Sequence, residues 1–186
     1  MPRPSTRPAI VAAAEQLFVE RGHAATLEQI AAAAGVSKGG LLYHFATKEE
    51  LRAAVCREVV DRLWSVVHQL VEEPDRGGGV LLSAYVRALT GDSAEAARIF
   101  APSALAPLFN ETPAAIDVLR DDADRWRRAF DSDGVEQRRS LVIRHSAEGA
   151  ATAAAEGYID AKELHLIRLE LLTMIETAVH RGESVS

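Results

Sequence analysis

The sequence is poor in the residues that mark secreted, disulfide-bonded or β-rich proteins. Its only cysteine is Cys56, which excludes an intrachain disulfide and favours a reducing compartment. Aromatic residues make up 5% of the 186 residues, runs of Val, Ile and Thr are absent, and Ala and Leu dominate long stretches. Because Ala and Leu lose little conformational freedom on entering a helix, this composition favours helices over sheets.

Long apolar runs are missing as well. None approaches the ~18 residues that span a bilayer, and the two arginines within residues 1–8 are not followed by the apolar segment of a signal peptide. We therefore expect a cytoplasmic protein with no membrane partner. Hydrophobic residues nevertheless account for 48% of the chain, which is ample material for a core.

Positive charge is scarce, since the net charge is −6, and this total argues against nucleic-acid binding. The charge is unevenly spread, however. Residues 1–48 contain five Lys or Arg and three Glu, a balance of +2, so the remaining residues must carry −8 to give the total. A slightly basic head on an acidic body permits a small DNA-binding module joined to a domain with another task.

Apolar residues recur at helical spacing along the chain and predict an all-α protein. The first helix is expected from Pro8 to Gly22, and the second begins at Thr26, where Gln29 completes a capping-box pattern. A long helix follows over residues 47–71, and the glycines at 77–79 indicate a linker. Further helices are predicted near residues 80–90, 93–109, 114–130, 135–156 and 161–181.

The tetrapeptide Ala-Gly-Val-Ser at residues 34–37 joins two short helices and has the residues that a sharp turn needs. Its glycine tolerates the left-handed conformation at a helix end, and its serine can cap the helix that follows. The outward face of that helix carries Lys38, Tyr43 and His44, beside two glycines that permit close approach. Two helices joined in this way can place the second one in the major groove of DNA.

The same residues resemble the DNA-binding head of TetR-family repressors over residues 8–55, about a quarter of the chain. The matching string is Thr26-x-x-x-Ile30-Ala31-x-x-Ala34-Gly35-Val36-Ser37-x-Gly39-x-Leu41, followed by His44-Phe45-x-x-Lys48-Glu49-x-Leu51. The resemblance implies a recognition helix at residues 37–44, phosphate contacts by His44 and Lys48, and a homodimer built on the last two helices. The residues expected to contact DNA are then Thr26, Ser37, Lys38, Gly39, Gly40, Tyr43, His44 and Lys48.

The chain departs from the family pattern at two positions of this helix. Leu42 stands where a tyrosine is usual, with Tyr43 one residue later, and Gly40 stands where a threonine is common. The phosphate contact expected at residue 42 is then lost, and Tyr43 can instead face the bases.

The sequence also supports a dimer on its own terms. Residues 147–155 are almost all small and would let another helix approach closely. The final helix is apolar on several faces, which predicts burial against both its own core and a partner. The apolar residues of that helix are Leu164, Leu166, Ile167, Leu169, Leu171, Leu172, Met174, Ile175 and Val179.

Aromatic and histidine residues of the C-terminal part are candidates for an effector pocket, since such pockets are mostly apolar with few polar groups. For any one of them, packing in the core is the commoner role. The acidic residues Asp117, Asp121, Asp122 and Asp124 would suit a cationic effector, although such a cluster is more often a solvated helix face. The pocket candidates are Trp64, His68, Tyr85, Phe100, Phe109, Trp126, Phe130 and His145.

Two other functions remain open. One is a small-molecule-binding helical protein whose head no longer binds DNA, against which the retained Lys38, His44 and Lys48 argue. The other is a helical enzyme, but the glycines at 77–79 lack the Lys-Ser/Thr of a phosphate-binding loop, and no Gly-x-Ser-x-Gly elbow exists. We expect no catalytic residues, no metal site and no cofactor.

The sequence therefore predicts an all-α, ligand-responsive bacterial transcriptional repressor. Residues 1–50 are expected to form a three-helix, helix-turn-helix DNA-binding head, and residues 51–186 a helical effector-binding and dimerisation domain. The homodimer would bind double-stranded operator DNA. A small lipophilic effector would release the homodimer from the operator by binding more tightly to a conformation that does not fit the DNA. This effector would be cationic if the acidic residues take part in binding it.

Overall fold

The computed structural model describes residues 6–71, 78–91 and 105–183, with side chains described as far as residue 179. Within these ranges the chain forms helices and turns and no strand, which confirms the all-α prediction. Most of the helix predicted near 93–109 lies outside the described residues. The helices are α1 (Thr6–Arg21), α2 (Leu27–Ala33), α3 (Lys38–His44), α4 (Lys48–Gln69), α5 (Val80–Thr90), α6 (Ala106–Asn110), α7 (Pro113–Asp131), α8 (Gln137–Ala155) and α9 (Ala161–Glu183), with a 3-10 turn at Gly22–Ala24.

The chain divides into two compact units, which we call the head unit and the C-terminal unit. The head unit consists of residues 1–61 and 101–122, and the C-terminal unit of residues 62–100 and 123–186. Helices α4 and α7 therefore each contribute residues to both units. The boundary predicted after residue 50 lies within the head unit.

The core of the head unit forms where the apolar faces of α1 to α4 meet. Each fully buried aliphatic or aromatic side chain in such a core stabilises the fold by about 1.5–3 kcal/mol relative to its exposed state. Residues of α6 and α7 join the same cluster, so the head core is assembled from distant parts of the sequence. Its members include Ile10, Ala14, Phe18, Ile30, Leu41, Phe45, Leu51, Val55, Leu105, Leu108, Phe109 and Ala115.

The core of the C-terminal unit centres on α5, which packs against α8 and α9. Helix α5 is buried on most sides, and this explains why its sequence is nearly continuous in apolar residues. The core includes Val67, Leu82, Tyr85, Val86, Leu89, Trp126, Phe130, Ile143, Ala147, Leu171 and Ile175.

Gly79 lies at a close crossing within the C-terminal unit. Its φ is +81°, and a Cβ atom placed on it would lie 2.5 Å from Cγ2 of Ile175. Its N–H donates to the carbonyl oxygen of Asp133 at 2.6 Å, and the Asp133 carboxylate accepts from the N–H groups of Leu81 at 2.9 Å and Leu82 at 2.8 Å. Asp133 therefore caps α5 from the turn between α7 and α8. The interpretation of these glycines as a linker is wrong for residues 78 and 79, because both are packed against that turn.

Candidate DNA-binding surface and effector region

The N-terminus of α2 is fixed by a reciprocal cap. The hydroxyl of Thr26 accepts from the N–H of Gln29 at 3.2 Å, and the Gln29 side-chain oxygen accepts from the N–H of Thr26 at 3.0 Å. This is the capping box that the sequence predicts. The Thr26 hydroxyl is therefore engaged within the chain.

A Schellman turn ends α2 and reverses the chain into α3. The N–H of Val36 donates to the carbonyl of Ala31 at 2.9 Å, and the N–H of Gly35 donates to that of Ala32 at 3.1 Å. Gly35 has φ +69°, the left-handed conformation expected of it. Ser37 then caps α3, because its hydroxyl accepts from the N–H of Gly40 at 3.0 Å. The predicted helix-turn-helix geometry is present.

The outward face of α3 is open where the sequence predicts close approach. Tyr43 is 87% exposed, the largest fraction among the exposed apolar and aromatic side chains of the described residues. A Cβ at Gly39 would meet only the Ser37 hydroxyl, at 4.0 Å, whereas a Cβ at Gly40 would lie 3.3 Å from that hydroxyl. The absence of a side chain at Gly39 therefore leaves the surface of α3 open, whereas the absence of one at Gly40 leaves space for the Ser37 hydroxyl that caps the helix. Leu42 is 37% exposed on the same helix.

His44 ends α3 and is partly buried. Its ring contacts the ring of Tyr43 edge to face, with centroids 5.3 Å apart. Phe45, the next residue, is buried in the head core, and the guanidinium of Arg7 lies 4.9 Å from its ring centroid. Arg7 is therefore part of α1 and packed on the head, not on a free N-terminal arm.

Lys38 is paired within the head. Its ammonium group contacts the carboxylate of Glu28, which lies in the first turn of α2. The lysine hydrogen bond is the main reason why the pKa of Glu28 lies below its ordinary value, with a backbone hydrogen bond and the lysine charge adding to it. Both side chains are more than half exposed, so the pair lies on the surface. Sequence reasoning missed Glu28, because ten residues separate it from Lys38.

Lys48 connects the start of α4 to the turn after α1. Its ammonium group donates to the carbonyl oxygen of His23 at 2.8 Å. Burial, and secondarily the nearby charge of Arg52, lower the pKa of Lys48. The His23 ring lies between Arg52, with Nη2 to Nδ1 at 3.4 Å, and Glu111, with Oε2 to Nε2 at 3.2 Å. No local pattern indicates this network, since the contacts of Lys48 and Arg52 with His23 span 25 and 29 residues.

Five of the predicted pocket residues come together in the C-terminal unit. The ring of Trp126 lies 4.6 Å from that of Trp64, 5.0 Å from that of Tyr85 and 5.4 Å from that of Phe130, measured between centroids. His68 lies 4.2 Å from Trp64. We call these five residues the aromatic cluster. The buried indole N–H of Trp126 has no hydrogen-bond partner among the described residues.

A sixth candidate, His145, joins this cluster through Glu148, which lies one turn further along α8. The Tyr85 hydroxyl donates to Oε1 of Glu148 at 2.7 Å, and Nδ1 of His145 lies 2.9 Å from Oε2. Phe109 does not join it, because it is buried in the core of the head unit. Phe100 lies outside the described residues.

The rings of the aromatic cluster touch one another, so the cluster is a packed core in this conformation. Beside Phe130 lies a cavity of about 140 Å³, lined also by Ser140 and Arg144. That volume is below the roughly 300–1,000 Å³ of pockets for drug-sized ligands. Cationic groups already cover two ring faces, since Arg125 lies 4.4 Å from the Trp64 centroid and Arg144 lies 4.4 Å from that of Phe130.

Two of the four acidic candidates on α7, Asp117 and Asp124, have ordinary surface partners. Asp117 pairs with Arg120 at 2.9 Å, and Asp124 pairs with Arg127, each one turn along the helix. This arrangement fits the solvated helix face and gives no support to a cation-binding role.

Apolar side chains are exposed on α8 and α9. Leu141 and Val142 on α8 are 42% and 56% exposed, and Leu166 and Leu169 on α9 are 56% and 49% exposed. The small residues Ala147, Ala150 and Ala151 are instead buried within the chain itself. No helix of the described residues has both the length and the apolar character needed to cross a membrane.

Comparisons with known proteins match both parts of the chain. A family model described as bacterial regulatory proteins, tetR family, matches residues 10–55. A second model, described as tetracyclin repressor-like, C-terminal domain, matches residues 79–176, more than half of the chain.

Two curated proteins are similar over part of their length. The HTH-type transcriptional activator FasR of Mycolicibacterium smegmatis is 47% identical over 70 residues, which cover 37% of this chain and 32% of FasR. The HTH-type transcriptional regulator RutR of Escherichia coli K12 is 36% identical over 118 residues, which cover 61% of this chain and 53% of RutR. The chain thus spans about a third of FasR and about half of RutR in these matches.

A solved structure shares the fold over nearly the whole chain. A transcriptional regulator from Rhodococcus sp. RHA1 aligns with a TM-score of 0.77 at 21% identity, covering 94% of this chain and 98% of that one.

Proposed function

The chain belongs to the TetR family of bacterial regulatory proteins, and we propose that it is a homodimeric, DNA-binding transcriptional repressor. The exposed face of α3 carries this proposal. The turn at Gly35 and the Ser37 cap hold α3 against α2, while Lys38 and Tyr43 project outward. A short helix presented in this way can enter the major groove, with its N-terminal residues at the base edges.

The predicted DNA contacts have distinct roles in this proposal. Tyr43, which is 87% exposed, reaches bases or phosphates, and Gly39 lets the backbone of α3 approach the DNA. Lys48 uses one N–H on the His23 carbonyl and keeps its remaining donors for phosphate. Such phosphate contacts fix the orientation of the head without reading sequence.

The exposed apolar residues of α8 and α9 support a homodimer through these two helices. A partner copy would cover Leu141, Val142, Leu166 and Leu169, which water otherwise contacts. The two α3 helices would then read half-sites about 10–10.5 base pairs apart, or a multiple of that.

The dimer is tested with a Leu166→Glu/Leu169→Glu variant measured by light scattering coupled to size exclusion. We expect a dimer for the unmodified chain and a monomer for the variant. Val19→Glu is the matched control, because Val19 is 41% exposed on α1 in the head unit. A variant that stays dimeric would contradict this interface.

We place effector binding at the aromatic cluster. Its indole N–H at Trp126 is buried and has no partner within the described part of the chain, and an acceptor atom of a lipophilic ligand would satisfy it. Because the rings touch one another, the ligand must separate them, and it would therefore favour a different conformation of the unit. Coupling to the head requires only that this conformation binds operator less well.

Tryptophan fluorescence tests this site directly, because the only two tryptophans, Trp64 and Trp126, both lie in the cluster. A panel of neutral, cationic and anionic lipophilic dyes is titrated into the protein, with Trp126→Phe as the variant that keeps a ring and loses the N–H. Saturable quenching that weakens in the variant supports the site. No binding by any dye would count against it.

DNA binding is tested by fluorescence anisotropy with DNA from upstream of the protein's own gene, with random DNA as competitor and salt varied. Specific binding with a clear salt dependence is expected. The Lys38→Ala/His44→Ala variant should lose it, while Lys162→Ala, which removes an exposed lysine of α9, should not. Loss of DNA binding with retained effector binding would separate the two activities. Equal weak binding to every DNA would be followed by selection from a random library, and failure of that selection as well would leave the small-molecule-binding alternative.

A reporter gene placed under the DNA site identified in the binding experiment tests whether the protein represses or activates transcription. Deletion of the gene should raise expression if the protein represses. FasR, which is similar to part of this chain, is named an activator, so a fall in expression on deletion would overturn repression and leave DNA binding intact.

A further inference from the structure

The Lys38–Glu28 pair lies on the surface that we propose to contact DNA. Lys38 is the first residue of α3, and Glu28 lies in the first turn of α2. Their side chains are 54% and 60% exposed, so the described residues of the head unit leave the pair open to a ligand. It presents a carboxylate acceptor and an ammonium donor side by side.

Glu28 is ionised at neutral pH, since its pKa lies below the ordinary value. An uncompensated carboxylate on a DNA-binding surface is unfavourable, because the DNA backbone carries one negative charge per phosphate. The head has little positive charge to offset it. Residues 6–48 contain four Lys or Arg and three Glu, and Lys48 already donates to His23.

The major-groove edge of a C·G base pair has hydrogen-bonding groups complementary to those of Lys38 and Glu28. Cytosine offers its N4 amino group as a donor, and the guanine paired with it offers O6 and N7 as acceptors. The cytosine donor and guanine acceptor are neighbours within that base pair, as the carboxylate and ammonium groups are neighbours here. Glutamate accepts from cytosine N4, and lysine donates to guanine.

On this basis, which rests on the proposed DNA-binding function, we propose that Lys38 and Glu28 act as one unit that recognises a C·G base pair in each half-site. Glu28 determines specificity in two ways. It accepts from cytosine N4 on the operator, and it disfavours other sequences, where acceptor atoms or phosphates face it.

The experiment compares the unmodified chain with Glu28→Gln in selection from a randomised DNA library, followed by anisotropy on the selected site. The unmodified chain should select C·G at one position of each half-site, and replacing it by T·A should weaken binding about tenfold, as expected for one lost base contact. For Glu28→Gln the same replacement should weaken binding less, because the carboxylate that accepts from cytosine N4 is gone while Lys38 can still donate to guanine. This variant should also bind random DNA more tightly, with a salt slope steeper by about 0.9 per head, because Lys38 is free to contact a phosphate.

Glu20→Gln is the matched control, since it makes the same charge change on an exposed residue of α1. It should keep the C·G preference. In a Lys38→Met background, Glu28→Gln should no longer steepen the salt slope on random DNA, because no lysine is then released to contact a phosphate.

The outcomes separate the inference from the function. If the unmodified chain and Glu28→Gln select the same sequences, the inference is wrong and the DNA-binding function stands. If the unmodified chain selects no sequence, the proposed function itself fails. If Glu28→Gln steepens the salt slope equally in the Lys38→Met background, the inference is also wrong, because the change cannot then come from release of Lys38.

Discussion

Gly35 in the head unit and Gly79 in the C-terminal unit both have left-handed backbones, with φ of +69° and +81°. A Cβ at Gly35 would meet nothing within 4 Å, so the backbone conformation alone requires glycine there. A Cβ at Gly79 would lie 2.5 Å from Ile175, so close packing requires glycine as well. The candidate DNA-binding surface is shaped by hydrogen bonds between sequence neighbours, whereas the C-terminal unit depends on contacts between distant residues.

The two units carry separate natural probes for testing this comparison. Cys56 is buried in the head unit, and it is the only cysteine. Trp64 and Trp126 are the only tryptophans, and both lie in the C-terminal unit. Thiol labelling therefore reports opening of the head, and tryptophan fluorescence reports unfolding of the other unit.

The largest effect is expected for the thiol. Burial, with a smaller contribution from the charge of Asp122, raises the pKa of Cys56 to about 12. The reactive thiolate is then roughly 1,000-fold scarcer near pH 8 than for a thiol with an ordinary pKa near 9. Labelling with a disulfide reagent should be slower by at least about that factor than in denaturant. Comparable rates in both conditions would show that the head opens readily.

The two glycines are compared by replacing each with alanine. Gly35→Ala should cost about 1–2 kcal/mol for the left-handed backbone. Gly79→Ala should cost that amount and about 1–3 kcal/mol more for overpacking against Ile175, Val135 and Val179. Urea unfolding is followed by Cys56 labelling for the first variant and by tryptophan fluorescence for the second. If the two variants lose the same free energy of unfolding, close packing does not add to the requirement for glycine at residue 79.

The two helix caps give a smaller difference. Asp133→Ala removes a cap that acts across 51 and 52 residues and leaves two part-buried N–H groups of α5 without it, so a cost of about 2 kcal/mol is expected. Thr26→Ala removes an exposed local cap of α2 and should cost about 0.5–1 kcal/mol. Thermal unfolding followed by circular dichroism measures both. A larger cost for Thr26→Ala would reverse the comparison.

The smallest effect is the pH dependence of the Glu28–Lys38 pair. Because the folded-state pKa of Glu28 is depressed, its contribution to stability is present above the ordinary value of 4.5 and is lost as the pH falls through the folded pKa. The difference in melting temperature between the unmodified chain and Glu28→Gln should therefore be small at neutral pH and disappear in acid. An NMR titration of the Glu28 carboxyl with a midpoint at or above 4.5 would contradict the pairing.

Much of the head could be predicted because its signals are local. The Thr26–Gln29 box, the turn at Gly35 and the Ser37 cap each involve residues two to five positions apart, and such patterns are visible in a sequence. The start of α4 has a similarly local arrangement. The Glu50 carboxylate accepts from the N–H of Ala46 at 2.8 Å, while Thr47 accepts from that of Glu50.

The partners of the predicted site residues could not be found in this way. Glu28 contacts Lys38, His23 contacts Lys48 and Glu148 contacts Tyr85 across 10, 25 and 63 residues of sequence, and only the His145–Glu148 contact is local. Phe109 carried the same signal as the residues of the aromatic cluster, yet it packs in the head unit. An aromatic residue indicates burial, and only the path of the chain determines the core that it joins.

The sequence by itself determined that this protein is helical, where the head helices begin and end, and which face of α3 is polar and small. Periodicity, caps and left-handed glycines act over a few residues, and their free energies are therefore written into short segments. The tertiary structure alone decided that Gly79 is a packing site, that Asp133 caps α5 and that Glu28 lies beside Lys38. These depend on which distant segments meet, and that outcome is set by burial summed over the whole core.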